Sequence, residues 1–325
     1  MSARMSSDVR EAARRLRRGE VVGVPTETVY GLAANALDPV AVARVFEVKR
    51  RPSFDPLIVH VRDNEAVLEV AQQLPQAAQR LAEAFWPGPL TLVLERLERV
   101  PDLVTSGLST VAVRRPAHPL VAELLHELDF PLAAPSANRF GSISPTTAQH
   151  VLDQLGQELD FVLDGGACTV GVESTIVGFE GERCLLYRPG GLALEQLAEV
   201  VGAVEEAHQP APAAPQAPGM LASHYAPRTP LLLGALDDLI AEHEGDRIGV
   251  LAFEEPREAH ACRVLSARGD LAEAARTLFA ALRELDASGA ELLLAEPVPE
   301  RGLGRAINDR LRRAAWRDDP ASPRA

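Results

Sequence analysis

Lysine is almost absent from this sequence: of the 33 basic residues, 32 are arginine and one, Lys49, is lysine. Asparagine is nearly as scarce, with Asn35, Asn64, Asn138 and Asn308 alone. A composition that has drifted so far toward arginine keeps Lys49 either by chance or because a planar guanidinium cannot replace a compact ammonium there. The cysteines Cys168, Cys184 and Cys262 are odd in number and scattered. They fit neither a disulfide framework nor zinc-ligand spacing. Aromatic residues make up only 4%, few for a surface that stacks single-stranded nucleic acid. No apolar run reaches about 18 residues, so no membrane span is expected. The polar, basic start from Met1 to Arg18 has no apolar core of a secretory signal, and the expected compartment is the cytoplasm. Positive charge is in deficit, with a net charge of −13. That balance disfavours general nucleic-acid binding, so any polyanion must meet a local basic cluster.

What is present reads as two α/β parts, as expected for 325 residues at roughly 100–200 per domain. Asp8 to Arg18 predicts a helix, Val21 to Val24 a strand, and Asp38-Pro39 an N-cap and first helical position, opening a helix to about Val48. Leu57 to Val61, Leu90 to Leu94, Thr110 to Val113, Pro131 to Ala134, Phe161 to Leu163, Thr175 to Phe179 and Cys184 to Tyr187 read as strands. Asn64 to Gln73, Pro75 to Phe85 and Pro119 to Leu128 read as helices. Intermixed strands and helices predict a layered α/β or α+β domain over residues 1–202. Residues 203–230 are punctuated by proline and rich in alanine, a stiff linker ending in Ser223-His224-Tyr225-Ala226-Pro227. Residues 231–325 form a second α/β pattern. Its strands are Leu231 to Leu233, Ile248 to Phe253, Val264 to Ser266 and Glu291 to Ala295. Helices are expected over Ala235 to His243, Leu271 to Leu285 and Leu303 to Ala315. Disorder is expected from about Asp318.

No Walker A loop, kinase signature, nucleophile elbow or zinc-protease motif occurs. Lys49-Arg50-Arg51 ends a helix before a proline-rich loop containing Asp55, and three adjacent cations can converge on one anion. The plain alternative is a helix C-terminus stabilised by cations, which suits Arg50. Ala134 to Arg139 follows a short strand and offers Ser136 and backbone N–H groups to a phosphate. Ser144 to Thr147 caps the next helix, either as a cap alone or beside a ligand. Strand alternation places Arg114 and Arg115 on opposite faces, and one of them can grip a carboxylate.

Lys49, Arg51, Ser136 and Asn138 match the K-x-R…S-x-N signature of the Sua5/YciO/YrdC family, which residues 10–200 resemble. Pro25 to Leu32, Pro56 to Val61, Trp86 to Thr91, Glu173 to Val177 and Arg188 to Gly190 extend the likeness in order. The linker and second domain resemble the long, Sua5-type members. The resemblance implies an α/β fold: a twisted-sheet YrdC-like domain with a concave basic cavity, plus a smaller Rossmann-like C-terminal domain. It implies a nucleotidyltransferase that turns L-threonine, bicarbonate and ATP into threonylcarbamoyl-AMP and pyrophosphate with Mg²⁺, the first step of tRNA threonylcarbamoyladenosine formation. Lys49, Arg51 and Ser136 would hold the triphosphate beside Asn138 and Ser144. Thr110 and Arg188 would hold further parts of ATP, and Tyr225 would fold over it. Thr26, His60, Arg114, Ser174 and the backbone of Ala134 would hold threonine. Where the family has Asn, this chain has Asp55, for which no direct phosphate contact is expected. The implied partners are the small substrates and a downstream threonylcarbamoyl-transfer complex, with room for weak tRNA contact and none for a membrane. The alternatives are a non-catalytic RNA-binding module, another carbamoyl-adenylate-forming enzyme, and a purely structural C-terminal domain.

Overall fold

Two aspartates start helices as their positions suggest. Asp8 accepts the Glu11 N–H and Asp38 the Val40 N–H, each from an extended conformation. The protein is described here by a computed structural model, over residues 4–207 and 224–315. Residues 219–223 of the linker motif and the tail from Asp318 lie outside the described residues. Two units separate in the chain: residues 1–140 with 144–220, and residues 141–143 with 221–325.

The first unit runs β1 (Arg4–Ser6), α1 (Val9–Arg17), β2 (Val22–Val24), β3 (Gly31–Asn35), α2 (Pro39–Lys49), β4 (Ile58–His60) and a 3₁₀ turn at Glu65–Glu69. It continues through α3 (Gln76–Phe85), β5 (Leu90–Glu95), α4 (Asp102–Thr105), β6 (Thr110–Arg114), α5 (Pro119–Glu127) and β7 (Leu132–Ala133). It ends with α6 (Ala148–Leu155), β8 (Phe161–Leu163), β9 (Thr175–Glu180), β10 (Arg183–Arg188), α7 (Leu194–Val201) and β11 (Val204–Glu206). The strands form one mixed, twisted sheet in the order β1-β8-β2-β3-β7-β4-β6-β5-β9-β10-β11.

Four sequence expectations change, one of them in the second unit, where the strand expected over Val264 to Ser266 lies over Ala261–Val264. Asn64 to Gln73 is not a helix but the short 3₁₀ turn; the Leu97 N–H bonds Val70 O and the Gln72 N–H bonds Glu95 O, so this segment is drawn into strand pairing. Val204–Glu206, expected as linker, is a strand paired in parallel with Cys184–Leu186. The cap of α6 is Thr147, which accepts the His150 N–H, and not Ser144.

Helices α1 and α5 bury Val9, Ala12, Ala13, Leu16, Val121, Leu124 and Leu125 over one part of the sheet. Leu132 belongs to that cluster and pairs with His60, so the same face continues onto β4. Register then carries it from His60 to Arg114 on β6 and on to Thr91 on β5. There the apolar cluster is Ile58, Val93, Ala112 and Ile176 with Tyr187 packed against it, all strand residues. The opposite face carries the larger core with residues of α2, α3, α6 and α7, such as Val42, Leu81, Val151 and Leu197. The sheet therefore presents one stretch of strand ends whose face carries no helix in its cluster.

The second unit contains β12 (Leu231–Leu233), α8 (Leu236–Glu242), β13 (Ile248–Ala252), β14 (Ala261–Val264), α9 (Leu271–Asp286), β15 (Leu292–Ala295) and α10 (Gly304–Ala315). Its sheet is wholly parallel in the order β12-β15-β13-β14. Buried strand residues such as Val250 and Leu294 are aliphatic, as a sheet covered on both faces requires. No described helix is long and apolar enough to cross a membrane.

Candidate active site

Lys49 closes α2, and the next residue, Arg50, takes the left-handed conformation at the helix C-cap with φ 52°. That turn leaves Arg50 exposed and sends Lys49 inward, 1% exposed. Its ammonium donates to Ser136 O at 2.5 Å and Asn138 O at 2.6 Å. The lone lysine thus ties the first half of the K-x-R…S-x-N signature to the second. Burial, then the neighbouring Arg51, hold its pKa well below the usual lysine range, against opposing pulls from Asp55 and Glu173. Arg51 donates to the carbonyls of Asp55 and Pro56 at 3.0 and 2.8 Å, and its Nη2 lies 2.8 Å from the Asp55 carboxylate. Asp55 is thereby an internal partner for Arg51. Burial raises its pKa, while Arg51, Lys49 and Arg188 lower it.

Ser144 donates to Glu173 at 2.5 Å. Glu173 and Ser174 lead into β9, and β10 returns Arg188 to them: its Nη2 donates to Ser174 O at 2.9 Å and lies 3.3 Å from Ser174 Oγ. Gly190 makes this approach feasible. A Cβ there would sit 2.3 Å from Ser174 C and 2.4 Å from Glu173 O. Lys49, Arg51, Ser136, Asn138, Ser144 and Arg188 are therefore joined through direct bonds and near charges, with Asp55 and Glu173 among them.

Ser174 Oγ also lies 2.7 Å from Thr91 Oγ1, the in-register neighbour of Arg114. Arg114 is 4% exposed and held on three sides. Its Nε donates to Gly88 O at 3.2 Å, Nη1 to Thr28 Oγ1 at 2.9 Å, and Nη2 lies 2.7 Å from Glu27 Oε1. Arg115 points the other way and donates to Asn64, as alternation requires. His60 sits beside Arg114 across the parallel pair; burial first, then Arg114, push its pKa down to about 3, so it is an uncharged imidazole. Ala134 is buried, and its N–H bonds Ile58 O. Thr26 is buried nearby, but its hydroxyl closes its own turn, donating to Val29 O at 2.6 Å.

Thr110 opens β6 four residues before Arg114, roughly 13 Å along the strand. Tyr225 belongs to the second unit, with φ 64° and its ring 1% exposed. There it stacks on Phe279 at 5.6 Å, with the Arg310 guanidinium 4.9 Å from its centroid. Sequence reasoning gave no role to Glu27, Thr28, Thr91 or Glu173. Glu27 and Thr28 share a motif with Thr26, so their position was available; Thr91 is revealed only by strand register.

The arrangement offers two adjoining chemistries. Cations and hydroxyls around Lys49, Arg51, Ser144 and Arg188 suit phosphates. The charge there is tempered by Asp55 and Glu173. Arg114, an uncharged His60 and several hydroxyls suit a small polar acid beside them. Among the described residues no group of three or more His, Cys, Asp or Glu could hold a metal ion.

The Sua5, YciO and YrdC family model, described as telomere recombination, matches residues 14–190. A second model, described as the threonylcarbamoyl-AMP synthase C-terminal domain, matches residues 192–316. A threonylcarbamoyl-AMP synthase of Pyrococcus abyssi (strain GE5 / Orsay) is 42% identical over 321 residues, covering 94% of this chain and 94% of the relative. One from Bacillus subtilis (strain 168) is 40% identical over 320 residues, covering 94% and 92%. The crystal structure of P. abyssi Sua5 complexed with L-threonine matches with a TM-score of 0.89 over 94% of each chain at 42% identity.

Proposed function

The chain belongs to the Sua5/YciO/YrdC family, and from that membership we propose that it makes threonylcarbamoyl-AMP from L-threonine, bicarbonate and ATP, releasing pyrophosphate. In this reading it is a nucleotidyltransferase that acts in tRNA modification, and its product passes to a threonylcarbamoyl-transfer complex in the cytoplasm. The observation that carries it is the series of near charges, hydrogen bonds and register neighbours that runs from Lys49 and Arg51 past Glu173 and Ser174 to Thr91 and Arg114. A phosphate site and an amino-acid site adjoin there, as adenylation of an amino-acid derivative demands.

Lys49, Arg51, Ser136, Asn138, Ser144 and Arg188 bind the nucleotide's phosphates, and Thr110 its more distant part. Arg114 takes the threonine carboxylate through its planar fork. His60, Thr26, Ser174 and the Ala134 backbone line the rest of that pocket. The threonine amine, once it has given up the extra proton of its ammonium form to solvent, adds to the carbon of CO₂ formed from bicarbonate and makes the N–C bond; the proton shed in that addition combines with the hydroxide lost from bicarbonate, so the step releases one water. An oxygen of the resulting carbamate attacks the α-phosphorus, and the bond to pyrophosphate breaks. Charge grows on the departing phosphates, where the fixed cations act. A carbamate is already anionic, so this step needs no general base. Mg²⁺, when bound with the triphosphate, would offset part of its charge; the carboxylates among these cations, Asp55 and Glu173, are engaged by Arg51 and Ser144. Tyr225 then covers the nucleotide and excludes water from a hydrolysis-prone product.

Pyrophosphate release from ATP and bicarbonate, followed with and without L-threonine, tests the reading. Release should depend strictly on threonine and fall by about a hundredfold or more in Lys49→Ala. Equal turnover with glycine or serine would point instead to a different carbamoyl-adenylate-forming enzyme.

A further inference from the structure

In the Arg114 pocket, three buried polar atoms make no aligned hydrogen bond: Arg114 Nη2, Glu27 Oε1 and His60 Nδ1. The first two touch at 2.7 Å as an ion pair without being in line for a hydrogen bond. Both side chains are otherwise anchored. Glu27 Oε2 accepts the Ala117 N–H at 3.1 Å, and the Glu27 carbonyl accepts the Val170 N–H at 2.7 Å. Arg114 is fixed by Thr28 and Gly88. A rigid pair, 8% and 4% exposed, thus keeps one spare donor and one spare acceptor side by side. Buried polar groups of native proteins are nearly always satisfied, and orphans gathered at one place point to a ligand that completes them.

The nearby hydroxyls are already engaged, and none of them carries the negative charge that complements an ammonium. Thr26 Oγ1 donates to Val29 O and already lies within reach of the Thr28 and Val29 N–H groups. Ser174 Oγ is shared between Thr91 and Arg188. Among the described residues, Glu27 is the carboxylate in direct contact with Arg114. The pair has no net charge, and His60 beside it is uncharged. A zwitterion adds nothing to that balance, whereas a simple carboxylate would leave a net negative charge in a site stripped of water.

We propose that Glu27 is the ammonium-binding residue of this pocket, and that together with Arg114 it selects an α-amino acid over a carboxylic acid of the same carbon skeleton. The inference rests on the reading of the pocket as the threonine site. The full chain and its Glu27→Gln variant, titrated calorimetrically with L-threonine and with β-hydroxybutyrate, which lacks only the amine, test it. Neutralising Glu27 should weaken L-threonine by about tenfold or more, while β-hydroxybutyrate binds the variant as well as or better than it binds the parent. Retained threonine affinity overturns the proposal. So does a parallel weakening of both ligands, or no binding of the analogue to the variant, which a mere loss of Arg114 orientation would give. ATP binding within about twofold of the parent shows that the variant is folded; should it fail, Glu27→Asp replaces it, with threonine preference retained at reduced affinity as the expected result and preference lost as the contrary one. A parent chain that does not bind L-threonine at all sinks the pocket assignment itself, a different outcome from unchanged selectivity.

Discussion

Single residues set the electrostatics of this site, and His60 is the clearest case. Burial beside Arg114 pushes its pKa from 6.5 to about 3, so protonation favours the unfolded chain. Its contribution to stability is complete above pH 6.5 and is lost as the pH falls from there toward about 3. His60→Gln removes that titration, and urea unfolding at about pH 7 and about pH 4 should show a smaller acid loss in the variant than in the parent. Equal losses would contradict the buried, neutral imidazole. Lys49 teaches a related lesson. Its rarity and its neighbours marked it in the sequence, but only the fold shows that it joins α2 to the Ser136–Asn138 turn. Asp55 stood out as an acid among cations, and the partner that explains it, Arg51, lies four residues away. Glu27 carried no such signal, because its partner Arg114 is 87 residues distant and meets it only through the sheet.

At the scale of elements, capped helices and aliphatic strands were readable because their signals are local. Asp38-Pro39 begins α2 as a side-chain cap should. β3, Gly-Leu-Ala-Ala-Asn, was not readable: its small residues carry little strand propensity, and its pairing with β2 and β7 decides it. The 3₁₀ turn at Glu65–Glu69 likewise lost its helical continuation to tertiary pairing. The return of β10 to Glu173 and Ser174 is the most exacting junction in the site. Gly190→Ala would press a methyl against the Ser174 and Glu173 backbone, where neither neighbour can yield. A loss of about 1–3 kcal/mol in stability is expected, with pyrophosphate release reduced by more than melting alone explains. A variant of parental stability and activity would contradict the contact.

Across the whole molecule, the family likeness spans both units. Residues 141–143 belong to the second: the Ala226 N–H bonds Gly141 O at 2.8 Å and Arg283 donates to Ile143 O at 2.5 Å. Ser144, the next residue in the chain, donates to Glu173. A chain ended at residue 207 loses those ties and Tyr225 together. It should retain helical circular dichroism yet release pyrophosphate about tenfold or more slowly; full activity would refute any part for the second unit in catalysis. In the proposed reaction, one site both carbamoylates threonine and adenylates the product. Mass spectrometry of the reaction with bicarbonate carrying heavy carbon tests it most directly. An adenylate that contains threonine and the labelled carbon together is expected, whereas a threonine adenylate without the label, or pyrophosphate released with no threonine-bearing adenylate, would rule this reaction out.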